Sequence, residues 1–213
     1  VGQVWARGGK CPSSYEFEHL KTPPDTSPAF FERLYQSAAD PWDFQCSPYE
    51  TARYQRMLNA LDGRSFDCAY EPGCSIGAFT ERLAPYCGEL LACDASITAA
   101  DRARKRLQHF PHVTVTHAAL PDGLSQRSFD LIVLAEMGYY FEVPVLENLA
   151  RELAARLRPG GIMLGCHWLG ESADHVLHGA QVHAVVQQSG FIPRLPRPAS
   201  DDGYQLDIWT ADR

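Results

Sequence analysis

The sequence is short of several things, and each shortage excludes something. No apolar run approaches the ~20 residues that a helix needs to cross a bilayer. The first residues, VGQVWARGGKCPSSYEF, hold no apolar segment of the kind found in a secretory signal. Both absences point to a cytoplasmic protein with no membrane partner. Positive charge is scarce too: 19 Lys and Arg stand against 26 Asp and Glu, a formal net charge of -7. Such a balance is poor footing for gripping phosphate backbones, so no nucleic-acid partner is expected. There is no C-x-x-C, and the seven cysteines (positions 11, 46, 68, 74, 87, 93 and 166) lie mostly in apolar segments. An odd number in that setting favours reduced, structural thiols over a disulfide scaffold, and no metal site is expected. The two commonest nucleotide signatures, G-x-G-x-x-G and a phosphate loop ending in Lys-Ser/Thr, are missing as well.

What is present is an ordinary globular mix, 45% hydrophobic and 21% charged over 213 residues. That length suits one domain with a small appendage, and would bury roughly 70% of the surface of the unfolded chain. Residues 1–28 carry Pro23, Pro24 and Pro28 with little periodicity and read as a flexible arm. Ser27-Pro28 opens a helix over Ala29–Ala38, with Phe30, Phe31, Leu34 and Tyr35 on one face. Asp40-Pro41-Trp42 breaks it, Ser47-Pro48 opens a second helix to about Leu61, and Asp62-Gly63 ends that one. Residues 29–62 therefore read as a helical cap or lid, and 63–213 as the main domain.

From Phe66 onward, strand-length apolar runs alternate with helical patterns. The strands expected are Phe66–Glu71, Glu89–Asp94, Val113–His117, Phe129–Glu136 and Ile162–Cys166, with Phe191–Leu195 and Tyr204–Thr210 in the tail. The helices expected are Ile76–Tyr86, Ile97–His109, Val143–Leu157 and Val176–Ser189, with Pro159-Gly160-Gly161 making a turn before the fifth strand. Regular alternation with buried strands argues for a doubly wound α/β fold around a mostly parallel sheet.

Sheets of this kind bind ligands at the carboxyl ends of their strands. The loop leaving the first strand runs Glu71-Pro72-Gly73-Cys74-Ser75-Ile76-Gly77 and feeds a helix N-terminus, whose free N–H groups favour anionic groups. Asp94 ends the second strand, where a carboxylate can accept hydrogen bonds from both hydroxyls of a ribose. Taken singly, these features could be a tight turn and a solvated strand end. Taken together in one β-α-β frame they favour a ligand site.

The run Glu71–Gly77, the strand Phe129-Asp130-Leu131-Ile132 and the turn Leu157-Arg158-Pro159-Gly160-Gly161 resemble motifs of the class I S-adenosylmethionine-dependent methyltransferases. A narrower likeness, carried by Asp40-Pro41-Trp42, Ser47-x-Tyr49-Glu50, Glu71-x-Gly73-Cys74, Ala135–Tyr140 and Cys166-His167-Trp168, is to the nodulation protein S family. Members of that family methylate the amine of a deacetylated chito-oligosaccharide. The resemblance implies a Rossmann-like, seven-stranded sheet and S-adenosyl-L-methionine as cofactor, released as S-adenosyl-L-homocysteine. It implies a small-molecule acceptor, an amino sugar being favoured.

It also implies roles for particular residues. Gly73, Cys74 and Gly77 would wrap the methionine part of the cofactor, and Glu71 would reach its amino group. Asp94 would hold the ribose, Ala95 or Ser96 would lie along the adenine, and Ala119 and Leu120 would close over it, with Asp122 the nearest acid. From the cap, Trp42 would cover the cofactor beside Tyr49, and Arg53 would meet the methionine carboxylate; Arg53 also shares a helical face with Tyr49. For an amine acceptor, which must be neutral to attack, the candidate acid–base groups are Glu136, Tyr139 and His167. Tyr140, His175, His178 and His183 stand behind them. His175 and His178 have a spacing that suits one helical face, but no third metal ligand accompanies them. An acidic lining of Glu136, Glu142, Glu171 and Asp174 would favour a cationic substrate if these residues converge. Competing readings are an O-methyltransferase on a small hydroxylated metabolite, a dinucleotide-dependent reductase, opposed by the missing G-x-G-x-x-G, and a silent methyltransferase-like binding module.

Overall fold

The computed structural model describes residues 24–194 and 203–212. Most of the arm expected over 1–28, and Leu195 at the end of an expected strand, lie outside them. Two helices come first, α1 (Pro28–Ser37) and α2 (Pro48–Ala60). Each begins in the same way. The Ser27 hydroxyl accepts from Phe30 N and the Ser47 hydroxyl from Glu50 N, with proline in the next position. Proline gives up no hydrogen bond there, and each serine cap contributes about 1 kcal/mol.

The rest is β1 (Phe66–Pro72), α3 (Ala78–Leu83), β2 (Cys87–Asp94), α4 (Ile97–Leu107), β3 (Val113–His117) and β4 (Phe129–Ala135). There follow α5 (Val143–Arg156), β5 (Leu157–Trp168), α6 (Gly179–Gln188), β6 (Phe191–Pro193) and β7 (Tyr204–Ala211). The strands form one seven-stranded sheet in the order β3-β2-β1-β4-β5-β7-β6, parallel except that β7 runs against both its neighbours. This is the Rossmann-like, doubly wound, mostly parallel sheet of the class I methyltransferase fold, with a short helical cap. The chain leaves β3 at one edge and returns on the far side of β1. The crevice between β1 and β4 is therefore the topological switch point, where such sheets take ligands.

Strand alternation divides the core. Leu131, Val133, Ile162 and Leu164 face one layer, with Met57 and Leu61 of α2 and Leu83 of α3. Ile132, Leu134, Met163 and Trp209 face the other, against Leu146, Leu149 and Leu153 of α5 and Val182 and Val186 of α6. Each such aliphatic side chain contributes roughly 1.5–3 kcal/mol by leaving water.

Several boundaries differ from the sequence reading, for physical reasons. The turn expected at Pro159-Gly160-Gly161 lies inside β5 as a bulge: Phe129 pairs with Leu157, but Leu131 pairs with Ile162. Gly160 takes φ +78° there, a conformation that glycine adopts without steric cost. The helix expected to Tyr86 narrows to a 3-10 turn at Ala84–Tyr86, where Pro85 falls. The strand expected to reach Glu136 stops at Ala135, because Glu136 turns out of it at φ 54°. The last long helix begins only at Gly179, capped by His178. Among the described residues no helix is long and apolar enough to cross a membrane.

Candidate active site

A cavity of about 330 Å³ opens at the switch point, between the carboxyl ends of β1, β2 and β4 and the underside of the cap. The loop after β1 forms one wall. Gly73 (φ +72°) turns the chain so closely against Met137 that a Cβ would lie 3.1 Å from its sulfur. The backbone N–H of Ser75 then donates to Asp94 Oδ2 at 2.8 Å, and that of Ser96 to Oδ1 at 2.9 Å. These bonds fix the carboxylate at the cavity wall and use two of its roughly four acceptor positions, leaving the others for a ligand with adjacent donors. Burial nevertheless lifts Asp94 to about 6. Ala95, Ala119 and Leu120 line the same cavity and make part of its wall apolar.

A smaller space adjoins the first and shares Arg53, Gly73, Ser75 and Glu136 with it. Glu71 and Cys74 line this annex. Glu71 Oε2 is buried with no hydrogen-bond partner among the described residues, and burial pushes the carboxyl up to about 8. A buried acceptor without a donor is costly, so a ligand donor, above all a cationic one, would be well received.

The opposite wall belongs to Glu136. Its Oε1 accepts from the Trp168 N–H at 2.7 Å and its Oε2 from the Tyr139 hydroxyl at 3.1 Å. Arg53 Nη1 lies 2.8 Å from the same Oε2, and Arg53 Nη2 pairs with Glu50. Burial opposes the Arg53 charge, but Glu136 and Glu50 hold it well above its ordinary value. Glu50 is raised by burial in spite of Arg53. One cation facing two carboxylates leaves this buried cluster acidic. Arg53 Nε makes no hydrogen bond among the described residues. Burial drives the Tyr139 and Tyr140 hydroxyls far above their ordinary values, so both rings keep their protons.

The structure brings most of the candidates together. Trp42, Arg53, Gly73, Asp94, Ala95, Ala119, Leu120, Glu136 and Tyr139 line the main cavity, and Glu71 and Cys74 line its annex. Gly77 is elsewhere: its α-carbon faces Ala103 and Leu107, where a Cβ would come within 3.2 Å, so it serves the packing of α4. His167 is a correction. It is fully buried behind the wall, not at it, and lines neither space. Its Nε2 accepts the Gly138 N–H at 3.1 Å, and its Nδ1 faces Nε2 of His183 at 3.0 Å. His183 Nδ1 then lies 2.8 Å from Asp207 Oδ2. His175 and His178 do not share a helical face; His178 caps α6 while His175 stacks on Tyr139 at the cavity. Of the acids expected to converge, only Glu136 reaches the lining, and Asp122 is exposed away from it.

Other residues were not singled out for the site from the sequence. Tyr35, whose hydroxyl donates to Ser75 Oγ at 2.5 Å, Phe31 and Met137 all line the cavity. Glu50 was legible in principle, since an acid three residues before Arg53 on one helix is a natural partner. Among the described residues no group of three or more His, Cys, Asp or Glu is placed to hold a metal ion.

Solved structures share this fold, and curated relatives match the sequence. The family model described as Nodulation protein S (NodS) matches residues 27–188. A nodulation protein S of Sinorhizobium fredii is 37% identical over 130 residues, 60% of either chain. One from Bradyrhizobium diazoefficiens is 32% identical over 154 residues, 69% of this chain and 71% of the relative. The match thus spans about 60% of the length of the first of these curated relatives. Among solved structures, the N-methyltransferase NodS of Bradyrhizobium japonicum in complex with S-adenosyl-L-homocysteine superposes with a TM-score of 0.77 at 25% identity, covering 89% of this chain and all of that one. A putative methyltransferase from Pseudomonas syringae gives 0.64 at 33% identity, over 76% of this chain and 97% of that one.

Proposed function

We propose a function from one premise: the chain belongs to the nodulation protein S family. It is an S-adenosyl-L-methionine-dependent N-methyltransferase, and its acceptor is the amine of an amino sugar such as a deacetylated chito-oligosaccharide. The observation that carries this reading is that Asp94, with both oxygens fixed by backbone amides, lines the same cavity as the acidic Glu50–Arg53–Glu136 cluster. One end of the cavity suits a ribose and a flat ring; the other suits a cationic group.

The residues present fit the cofactor. Asp94 would take the ribose hydroxyls, Ala95, Ala119 and Leu120 the adenine, Glu71 the amino group and Arg53 the carboxylate. When bound, S-adenosyl-L-methionine supplies a methyl group on a sulfonium; the acceptor's lone pair takes the methyl carbon, the carbon–sulfur pair stays on sulfur, and S-adenosyl-L-homocysteine remains. The protein's part is to hold the acceptor nitrogen in line and to exclude water. Glu136, held by Trp168 N, Tyr139 and Arg53, gives that nitrogen a fixed anionic neighbour. Trp42, Tyr139, Tyr140 and Trp168 line the cavity and supply the aromatic surface that a sugar ring favours.

Calorimetric titration with S-adenosyl-L-homocysteine, for the native protein and Asp94→Ala, is the first test. Micromolar binding that weakens at least tenfold in Asp94→Ala is expected. A folded protein that binds neither S-adenosyl-L-methionine nor its product would overturn the assignment. Turnover on hydroxyl acceptors but not amines would retain the cofactor and overturn the acceptor.

A further inference from the structure

The loop between β5 and α6 brings one more group to the acceptor end of the cavity. The His175 ring stacks on Tyr139 with centroids 3.7 Å apart and planes at 20°. Tyr140 and Trp168 meet it edge-on, at 5.4 Å and 6.1 Å. The ring is thus walled by three aromatic side chains, and the hydroxyl of one of them, Tyr139, donates to Glu136 Oε2. His175 Nδ1 is buried and has no hydrogen-bond partner among the described residues. The imidazole nevertheless lines the cavity and is only half-buried, so its open edge meets what the cavity holds.

Every other acid–base group at this end is already engaged. Tyr139 and Tyr140 keep their protons. Both oxygens of Glu136 accept hydrogen bonds, and one is paired with Arg53. His167 has both nitrogens occupied, by Gly138 and His183. The ionisable groups facing His175 are Asp174 beside it, Glu136 at the end of β4, His178 at the start of α6 and the two tyrosines of the turn after β4. Burial lowers His175 from its ordinary value, outweighing the opposing pull of Asp174 and Glu136, so the imidazole is neutral near pH 7 and has a lone pair to offer.

We propose that His175 is a catalytic residue, the proton acceptor for the substrate ammonium. This rests on the amine reading above. The ammonium gives its proton to the lone pair of the neutral imidazole at its open edge, and the electrons of the broken N–H bond stay on nitrogen as the pair that takes the methyl carbon. The imidazolium is offset by Glu136 and Asp174. His175 is only half-buried, so the proton passes to solvent before the next cycle.

His175→Phe tests this, because it retains the stack on Tyr139 and removes both nitrogens; His175→Gln is the second variant. Both are expected to bind S-adenosyl-L-homocysteine within about twofold of the native protein. Turnover of an amino sugar at pH 7 falls about 100-fold or more, the usual share of a general base. As pH rises past the titration of the free amine, the variants recover toward the native rate, since the substrate then arrives deprotonated. Independently of turnover, adding glucosamine to the native protein with S-adenosyl-L-homocysteine moves the His175 imidazole nitrogen resonances toward the protonated form, and N-acetylglucosamine does not. Native turnover on an amine with both variants within threefold at pH 7, or an unmoved His175 resonance, overturns the His175 assignment alone. A native protein that binds the cofactor and methylates hydroxyls only overturns the amine reading, and the proposal with it.

Discussion

Arg53 Nη1 lies 2.8 Å from Glu136 Oε2 and joins the second helix of the cap to the end of β4 at the cavity wall. The Arg53 side chain is 2% exposed, and its second partner, Glu50, 10%. Removing the cation strands two carboxylates in a poorly solvated place. Arg53→Met is expected to lose about 3–5 kcal/mol in urea unfolding, and adding Glu50→Gln to recover part of it. A loss below about 1 kcal/mol would mean that the cluster is solvated in solution and does not bind the cap to the sheet.

Glu71 and Asp94 give the unliganded protein a pH dependence with a definite sign. Both are raised by burial, from 4.5 to about 8 and from 3.8 to about 6. A carboxyl raised on folding contributes its stability while protonated. That contribution is full below the unfolded value and is lost as pH climbs through about 6 for Asp94 and about 8 for Glu71. Each group adds a slope of up to ~1.4 kcal/mol per pH unit within its window. Glu71→Gln keeps the shape without the titration, so its melting temperature should exceed that of the native protein at pH 8 and converge with it at pH 5. Parallel melting curves across that range would show that Glu71 is not buried in the unliganded state.

Gly138 leaves no room for a side chain. A Cβ there would lie 2.4 Å from Val182 Cγ1 and 2.9 Å from His167 Nε2. Gly138→Ala is expected to destabilise by about 1–3 kcal/mol and to shift the turn that carries Tyr139, slowing turnover more than it weakens cofactor binding. Gly63→Ala, where nothing lies within 4 Å but φ is +66°, is the control for backbone strain alone. Equal effects of the two on turnover would remove the steric argument.

Glu32 fastens α1 to the N-terminus of α4. Its carboxylate accepts from the hydroxyls of Ser96 and Thr98, each at 2.6 Å, and from the Thr98 N–H at 3.2 Å. The Ser96 hydrogen bond is the first of the causes that hold its pKa down at about 2. The contribution is therefore present above the ordinary 4.5 and is lost as pH falls toward about 2. Glu32 is partly open to water, so Glu32→Ala should cost no more than ~1 kcal/mol globally. It should hasten proteolysis in the cap connection 38–46, and unchanged cleavage there would show that the latch does not hold the cap.

The centre of the sheet is legible because β4 and the second half of β5 are buried on both faces and read as apolar runs, while the edge strand β3 shows only alternation. The β1 loop and Asp94 were legible because chemistry at strand ends is local in sequence. The Pro159-Gly160-Gly161 segment was misplaced because a bulge and a turn use the same residues; only pairing with Phe129 and Leu131 tells them apart. His167 looked like a site residue because it sits at the correct edge of the sheet. Its side chain points into the α6 layer, toward His183 and Asp207, and those partners lie 16 and 40 residues on, beyond any local pattern. His175 stands just before the helix expected from Val176, which begins only at Gly179; the extra loop residues carry it against Tyr139, which no local pattern shows.

The row from Asp207 through His183 and His167 to the Gly138 amide is full. His167 Nε2 must accept from that amide, so its Nδ1 carries the hydrogen, and the same holds in turn for His183. No nitrogen in the row has a place for another proton. Excess acid must break the row before it can charge His167, which burial already holds well below its ordinary value. A proton on His167 Nε2 takes the place of the Gly138 amide, the bond that steadies the turn bearing Tyr139. The turn at the site and the α6 layer are therefore tied through one line of hydrogen bonds, and acid that opens one end strains the other.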